Sequence, residues 1–486
     1  MAILKLFCVL VLVLALCYQI NVNCFDDNYT LLVSHKFNVG QKQLYRFVTM
    51  PQLVDRNEHL AAEVSKIQQT LTFLKPKREW NYSNTWQFIG DPYYRQQIYS
   101  AYFDPRTELY NPSHFDANHI SYGSIRVFAV LPLRLQTDII CYIKYEDTFI
   151  EQVKAYEALP MQEHENMKFS GYTIMCPLRM RRGGAIVHLP ESVAIIYMAN
   201  PLSEEVPTYV PISYSKENVL AKPNKTLAIC VGPLQQHYSQ VLRMVEFIEI
   251  YRLLGADKFY FYRLEVTPEI DKVLGYYERA RLAEVNAWNF YGYEYNAEVH
   301  YSGIMVQINE CMYRATFVDG YKYVAVVDLD EILVPLKCNT LLDYLRGAED
   351  GRTSAFVFRN VFFFKKGPND TMSMPPGAHN RFLYTQVKVQ RTFLPLPPHQ
   401  RSKCIVNGRT TIEMGNHQVW RQLEGISETN VHIRDGLMFH YREKCIGCRV
   451  DPLIVDFTAR RFGSIIWDQV DDVCVKVFQN GICPVD

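Results

Sequence analysis

From about residue 225 the chain alternates apolar strand-like runs with segments of helical spacing, and this alternation most narrows the folds open to it. TLAICVG, Thr226 to Gly232, reads as a buried strand. In the segment Ser239 to Gly255, Val241, Met244, Val245, Ile248 and Tyr251 recur at helical spacing, and Gly255 stands where a C-terminal cap belongs. KFYFY is a second strand, Asp271 to Ala283 a second helix, EVNAW a third strand, and Ile304 to Thr316 a further helix. The order predicts an α/β fold with a mostly parallel sheet covered on both faces, its ligand at the carboxyl ends of the strands.

The next strand carries the chemistry. YVAVVDLDEILVP, Tyr323 to Pro335, begins as a fully buried β-branched and aromatic run and then crowds three acids into four residues. Side chains alternate along a strand, so Asp328 and Asp330 are expected to point the same way, and two like charges so close call for a cation between them. A hard divalent ion with oxygen ligands is the simplest partner. The bland alternative is a solvated turn at a strand end. An EF-hand loop does not fit, because Ile332 and Leu333 stand where a third oxygen ligand and a glycine are needed. A D-x-D-x-T phosphatase would need a hydroxyl at Ile332. What remains is the D-x-D of nucleotide-sugar transferases, in which the metal bridges the acids to a diphosphate. The P-loop, H-E-x-x-H and G-x-S-x-G patterns are absent from the sequence.

Acids and bases balance at 51 each, so no global field draws the chain to nucleic acid or an anionic surface, and an anionic ligand must be held locally. Met1 to Asn23 has one lysine and an apolar stretch from Leu6 to Tyr18, which suits a signal peptide or a short signal anchor. Asn28, Asn81, Asn224 and Asn369 stand in glycosylation triplets. Thirteen cysteines, two in the leader, suggest disulfides in an oxidising lumen. Cys445 with Cys448 and Cys474 with Cys483 read as staples, zinc being the alternative for the first pair. The chain divides into the leader at 1–23, a stem at 24–97 with helical spacing in Leu53 to Leu74, and a β-rich N-terminal domain at 98–220. The α/β domain follows at 221–470 and a tail at 471–486.

CVGPLQQHYSQVLRMVEFIEIYRLLGADKFYFY, INECMYRATFVDGYKYVAVVDLDEILVP, GNHQVW and GLMFHYREKC occur in order over about half the chain. Together they resemble glycosyltransferase family 92. The resemblance implies a GT-A-type fold, a UDP-sugar donor, usually UDP-galactose, a glycan acceptor, and a Golgi enzyme dependent on manganese. Carried over by motif, Asp328 and Asp330 would be metal and diphosphate ligands, and His440 in FHYR would complete the metal site. Glu331 continues the motif. Gln307, Asn309 and Arg314 lie on the preceding helix, either facing the donor or forming its solvated face. Tyr441 and Arg442 are candidates to hold the diphosphate, Arg442 through a bidentate fork, with a surface ion pair as its alternative. His417 reads as a packing residue.

With an α-linked donor and a β-linked product, one displacement suffices, and a carboxylate must take the acceptor's proton. Glu413 is the candidate base, with Asp370 and Asp435 as rivals. Two other readings stay open: a secreted carbohydrate-binding module with a dead transferase site, and a nucleotide-sugar enzyme of another linkage type. The leader, if uncleaved, would tie the protein to a membrane, and if cleaved would leave it secreted.

Overall fold

The computed structural model describes residues 21–24, 31–39 and 42–49, and residues 85–484 apart from 91–94, 110–120, 136–137, 146–148, 180–189, 198–207, 216–222, 289–297, 373, 376–381 and 444–451. Most of the leader, the segment Leu53 to Leu74, Asn28, Asn81, Cys445 and Cys448 lie outside the described residues. The chain divides into two compact units. One, residues 1–75 with 183–187, contains a three-stranded antiparallel sheet formed by Asn21–Cys24, Leu31–Val39 and Lys42–Thr49. The other holds residues 76–182 and 188–486.

This larger unit is mixed α/β and built on several sheets. Its first sheet has nine strands, drawn from residues 87–213, including the runs that read as strands between Ile98 and Tyr214. All pairings are antiparallel except that of Val210–Ser213 with Gln97–Asp104. A disulfide, Cys141 to Cys176, ties two of these strands.

The alternating region follows as β1 (Lys225–Val231), α1 (Val241–Leu253), β2 (Lys258–Arg263), α2 (Pro268–Arg279), β3 (Ala283–Ala287), α3 (Ile304–Tyr313) and β4 (Tyr321–Val327). After these come β5 (Glu331–Pro335), β6 (Thr353–Phe358), β7 (Asn360–Phe364), β8 (Gln390–Thr392), β9 (Lys403–Asn407), β10 (Thr411–Met414), β11 (Val419–Gln422), β12 (Ser427–Asn430), β13 (Gly436–Arg442) and β14 (Leu453–Val455). Each of the first helices ends for a local reason. Gly255 adopts φ +99° after α1 and its N–H bonds the carbonyl of Arg252. Proline opens α2, with Glu269 and Asp271 in its first turn.

The seven-stranded sheet runs β3-β2-β1-β4-β9-β6-β12, and four of its six pairings are parallel. Both faces are covered, as a parallel sheet requires. On one side Ile229, Phe259, Phe261 and Ala325 join a core with Val245 and Ile248 of α1, Val273 of α2 and Trp467 of the last helix, Gly463–Val477. On the other, Ala228, Tyr260 and Val324 pack with α3 and with Tyr99, Tyr102 and Phe128 of the nine-stranded sheet. Thus α3 is buried on every side, and Cys230 to Cys311 ties it to β1. Cys474 bonds Cys483, the expected staple. Among the described residues no helix is long and apolar enough to cross a membrane.

One expectation about the backbone is corrected. The acid-tipped strand does not run through Asp330: β4 stops at Val327, and the Glu331 N–H donates to the Asp328 carbonyl at 3.1 Å, closing a turn. The chain then enters a different, five-stranded sheet, β5-β13-β7-β8-β14.

Candidate active site

The carboxyl ends of β1 and β4 lie side by side and open into a cleft of about 790 Å³. Val231 to Leu234 form one wall and Asp328 to Glu331 the facing turn. Because β5 pairs antiparallel with β13, Glu331 stands opposite His440, and Phe362 of β7 pairs with His440 from the other side. This register, not proximity in sequence, brings the imidazole to the acids. Side chains alternate along β13, so His440 and Arg442 line the cleft while Tyr441 turns away and packs on Phe363.

Three groups converge here. Nε2 of His440 is 3.4 Å from Oδ2 of Asp330, and Nδ1 is 3.6 Å from Oε1 of Glu331. One ligand atom from each of Asp330, Glu331 and His440 lies within 4.8 Å of the others. Asn360 Nδ2, 2.9 Å from Nδ1, orients the ring. Burial would raise Asp330, but the hydrogen bond from His440 and the charges of His440, Lys365 and Arg442 outweigh it and hold the carboxyl below its ordinary value. Burial dominates at Glu331, which is pushed up to about 7 against the pull of Lys403. Asp328 lies apart from this trio, with its Oδ2 3.1 Å from the ammonium of Lys403. Lys365, Arg401 and Arg442 give the same cleft a cationic side.

His417 also lines the cleft, with Nδ1 bonded to the Ser402 carbonyl at 3.0 Å. Burial, then the charge of Lys403, push it down to about 4. Its neutral form is favoured by the fold, so stability contributed by this residue is present above the unfolded value of about 6.5 and is lost as pH falls toward 4. An NMR titration should show the His417 ring still neutral at about pH 5.5, below the midpoint of an ordinary histidine. A midpoint near 6.5 would contradict this environment.

Other predicted residues sit elsewhere. Gln307, Asn309 and Arg314 neither line the cleft nor face solvent, because α3 is enclosed between two sheets. Gln307 donates to the carbonyl of Val231 at 3.1 Å and steadies the cleft end of β1. Asn309 clamps β10 through both main-chain groups of Met414. Arg314 bonds Glu310 and Glu284. Glu413 is buried 3.6 Å from Arg421, Asp370 is 3.2 Å from Arg460, and Asp435 pairs with Lys337.

Lys403, Lys365, Arg401 and Asn416 escaped sequence reasoning. Lys403 left a faint signal, a lone cation opening the apolar run CIV. As β9 runs antiparallel to β4, with Cys404 opposite Val326, that cation falls where the acids begin.

The profile of glycosyltransferase family 92 matches residues 225–474. A beta-1,4-galactosyltransferase, galt-1 of Caenorhabditis elegans, is 23% identical over 346 residues, covering 69% of this chain and 75% of the relative. Among solved structures, the apo form of the bifunctional glycosyltransferase WbbM aligns with 42% of this chain and 35% of its own, at 9% identity and a TM-score of 0.19. The matched region spans about half the chain and contains the strand ends, the acid turn and His440 that build the cleft, and the chain therefore belongs to glycosyltransferase family 92.

Proposed function

We propose that this glycosyltransferase moves galactose from UDP-galactose to a glycan acceptor, with inversion and with a divalent ion such as Mn²⁺. The observation that carries the reading is the cleft at the ends of β1 and β4, where Asp330, Glu331 and His440 converge and Lys365, Arg401 and Arg442 supply positive charge. Two carboxylates and an imidazole suit a borderline divalent ion, so these three residues would hold it. When bound, the ion offsets charge developing on the diphosphate. Arg442 presents the planar fork that matches phosphate oxygens, with Lys365 and Arg401 adding charge beside it. Asp328, in the same turn, borders the diphosphate position without belonging to the convergent trio.

The strand order β3-β2-β1-β4 supports a GT-A-type domain over 221–470, and the nine-stranded sheet a β-rich region over 98–220. Galactose as the donor sugar follows the relative's name. The disulfides fit the secretory pathway. With the leader and the exposed acceptors Asn224 and Asn369, they support a Golgi lumenal address.

A screen of nucleotide sugars for Mn²⁺-dependent hydrolysis tests the reading without needing the acceptor. UDP-galactose should give the largest signal. Binding of a UDP-sugar with no turnover would favour a carbohydrate-binding protein with a dead site, and neither binding nor turnover would overturn the transferase proposal.

A further inference from the structure

The acid turn already contains a cation of its own. Lys403 is 1% exposed, and its ammonium lies 2.6 Å from Asn416 Oδ1, 3.1 Å from Asp328 Oδ2 and 3.4 Å from Glu331 Oε2. An ammonium has three N–H groups, and here three oxygens face them. Two of the three are carboxylate oxygens, of Asp328 and Glu331, so the ammonium is held in place by opposite charge. Glu331 spans two regions: one oxygen faces Lys403 and accepts the Asp328 N–H at 2.9 Å, while the other faces His440.

We infer that Lys403 is a positioning residue that divides the acid cluster, holding Asp328 and one oxygen of Glu331 so that a divalent ion is confined to Asp330, His440 and the other oxygen of Glu331. The inference rests on the metal-dependent reading above and adds to it an assignment for Asp328: the partner of a fixed ammonium, not a metal ligand. Two charges that neutralise each other contribute little net field at the ion, whereas either one alone contributes a full charge. Even at water-like dielectric, one unit charge several Å from a divalent ion changes affinity by about tenfold.

The test is calorimetric titration of the whole protein with Mn²⁺ alone, without donor. Lys403→Met should tighten Mn²⁺ binding by roughly tenfold, because a repelling charge is removed. A general loss of structure would weaken binding instead. Asp328→Asn alone should weaken it by about the same factor, and the double variant should return to within about threefold of the parent, since the charges leave as a pair. Asp330→Asn should weaken binding by roughly 100-fold or more.

A double variant as weak as Asp330→Asn would make Asp328 a direct ligand and overturn the inference, as would weaker binding by folded Lys403→Met. If Lys403→Met does not fold, the double variant decides alone, because there the charge of Asp328 leaves together with that of its cation. Absence of Mn²⁺ binding by the parent protein would remove the metal reading and this inference with it. Binding by the parent with the wrong order among the variants would remove this inference only.

Discussion

Asp330→Asn is expected, on the metal-dependent reading proposed above, to lower sugar transfer by about 100-fold or more while leaving the fold in place. The substitution keeps the side chain's size and removes its charge. Asp330 is the partly exposed member of the convergent trio, with 29% of its side chain accessible, so the change opens no cavity in the core. Its structural contact is through the backbone, whose carbonyl accepts the Tyr441 N–H at 2.8 Å, and asparagine retains that. The carboxylate's neighbours are the His440 ring and the charges of Lys365 and Arg442, which line the same cleft. Turnover measured beside a urea denaturation curve separates the effects. Full activity would remove the trio from the mechanism, and a lowered denaturation midpoint would make Asp330 structural.

How far the sequence reached depended on whether a feature is local. Helical spacing in Val241 to Tyr251 and the buried run Tyr323 to Val327 report their own burial, so α1 and β4 are legible, together with the strand ends on which the cleft opens. The left-handed glycine after α1 is equally local. The meeting of Glu331 with His440 is a register between strands far apart in the chain, and no spacing encodes it. Lys403 reaches Asp328 by the same kind of long-range pairing. The acid run itself was visible, but its turn was not, because alternation describes a strand only while the strand lasts. From sequence alone the polar residues of α3 face either solvent or the donor. A second sheet covers that face, and the sequence of a helix does not reveal what packs on it.

That burial leads to the largest expected loss of stability. Glu310 is fully buried on α3, hydrogen-bonded by the hydroxyls of Tyr102 and Tyr262 and paired with Arg314 through Nη2 at 2.6 Å and Nε at 3.1 Å. Tyr102 belongs to the nine-stranded sheet and Tyr262 to β2, so one carboxylate ties three layers together. Arg314, 4% exposed, also reaches Glu284 at 3.1 Å. Arg314→Met keeps most of the side chain's apolar volume and leaves Glu310 in the core without its cation. Removing one partner of such a pair destabilises by about 3–5 kcal/mol, because the remaining charge is buried uncompensated. Replacing Glu310 and Arg314 together, by Gln and Met, should recover much of the loss, since the buried charge of Glu310 then leaves with its cation and only the part-exposed Glu284 loses a partner. Denaturant midpoints of the single and double variants measure this directly. The folded fraction of Arg314→Met should keep the parent's KM for the nucleotide sugar. A variant of unchanged stability whose KM rises about tenfold would instead return Arg314 to the donor site and require α3 to open toward the cleft.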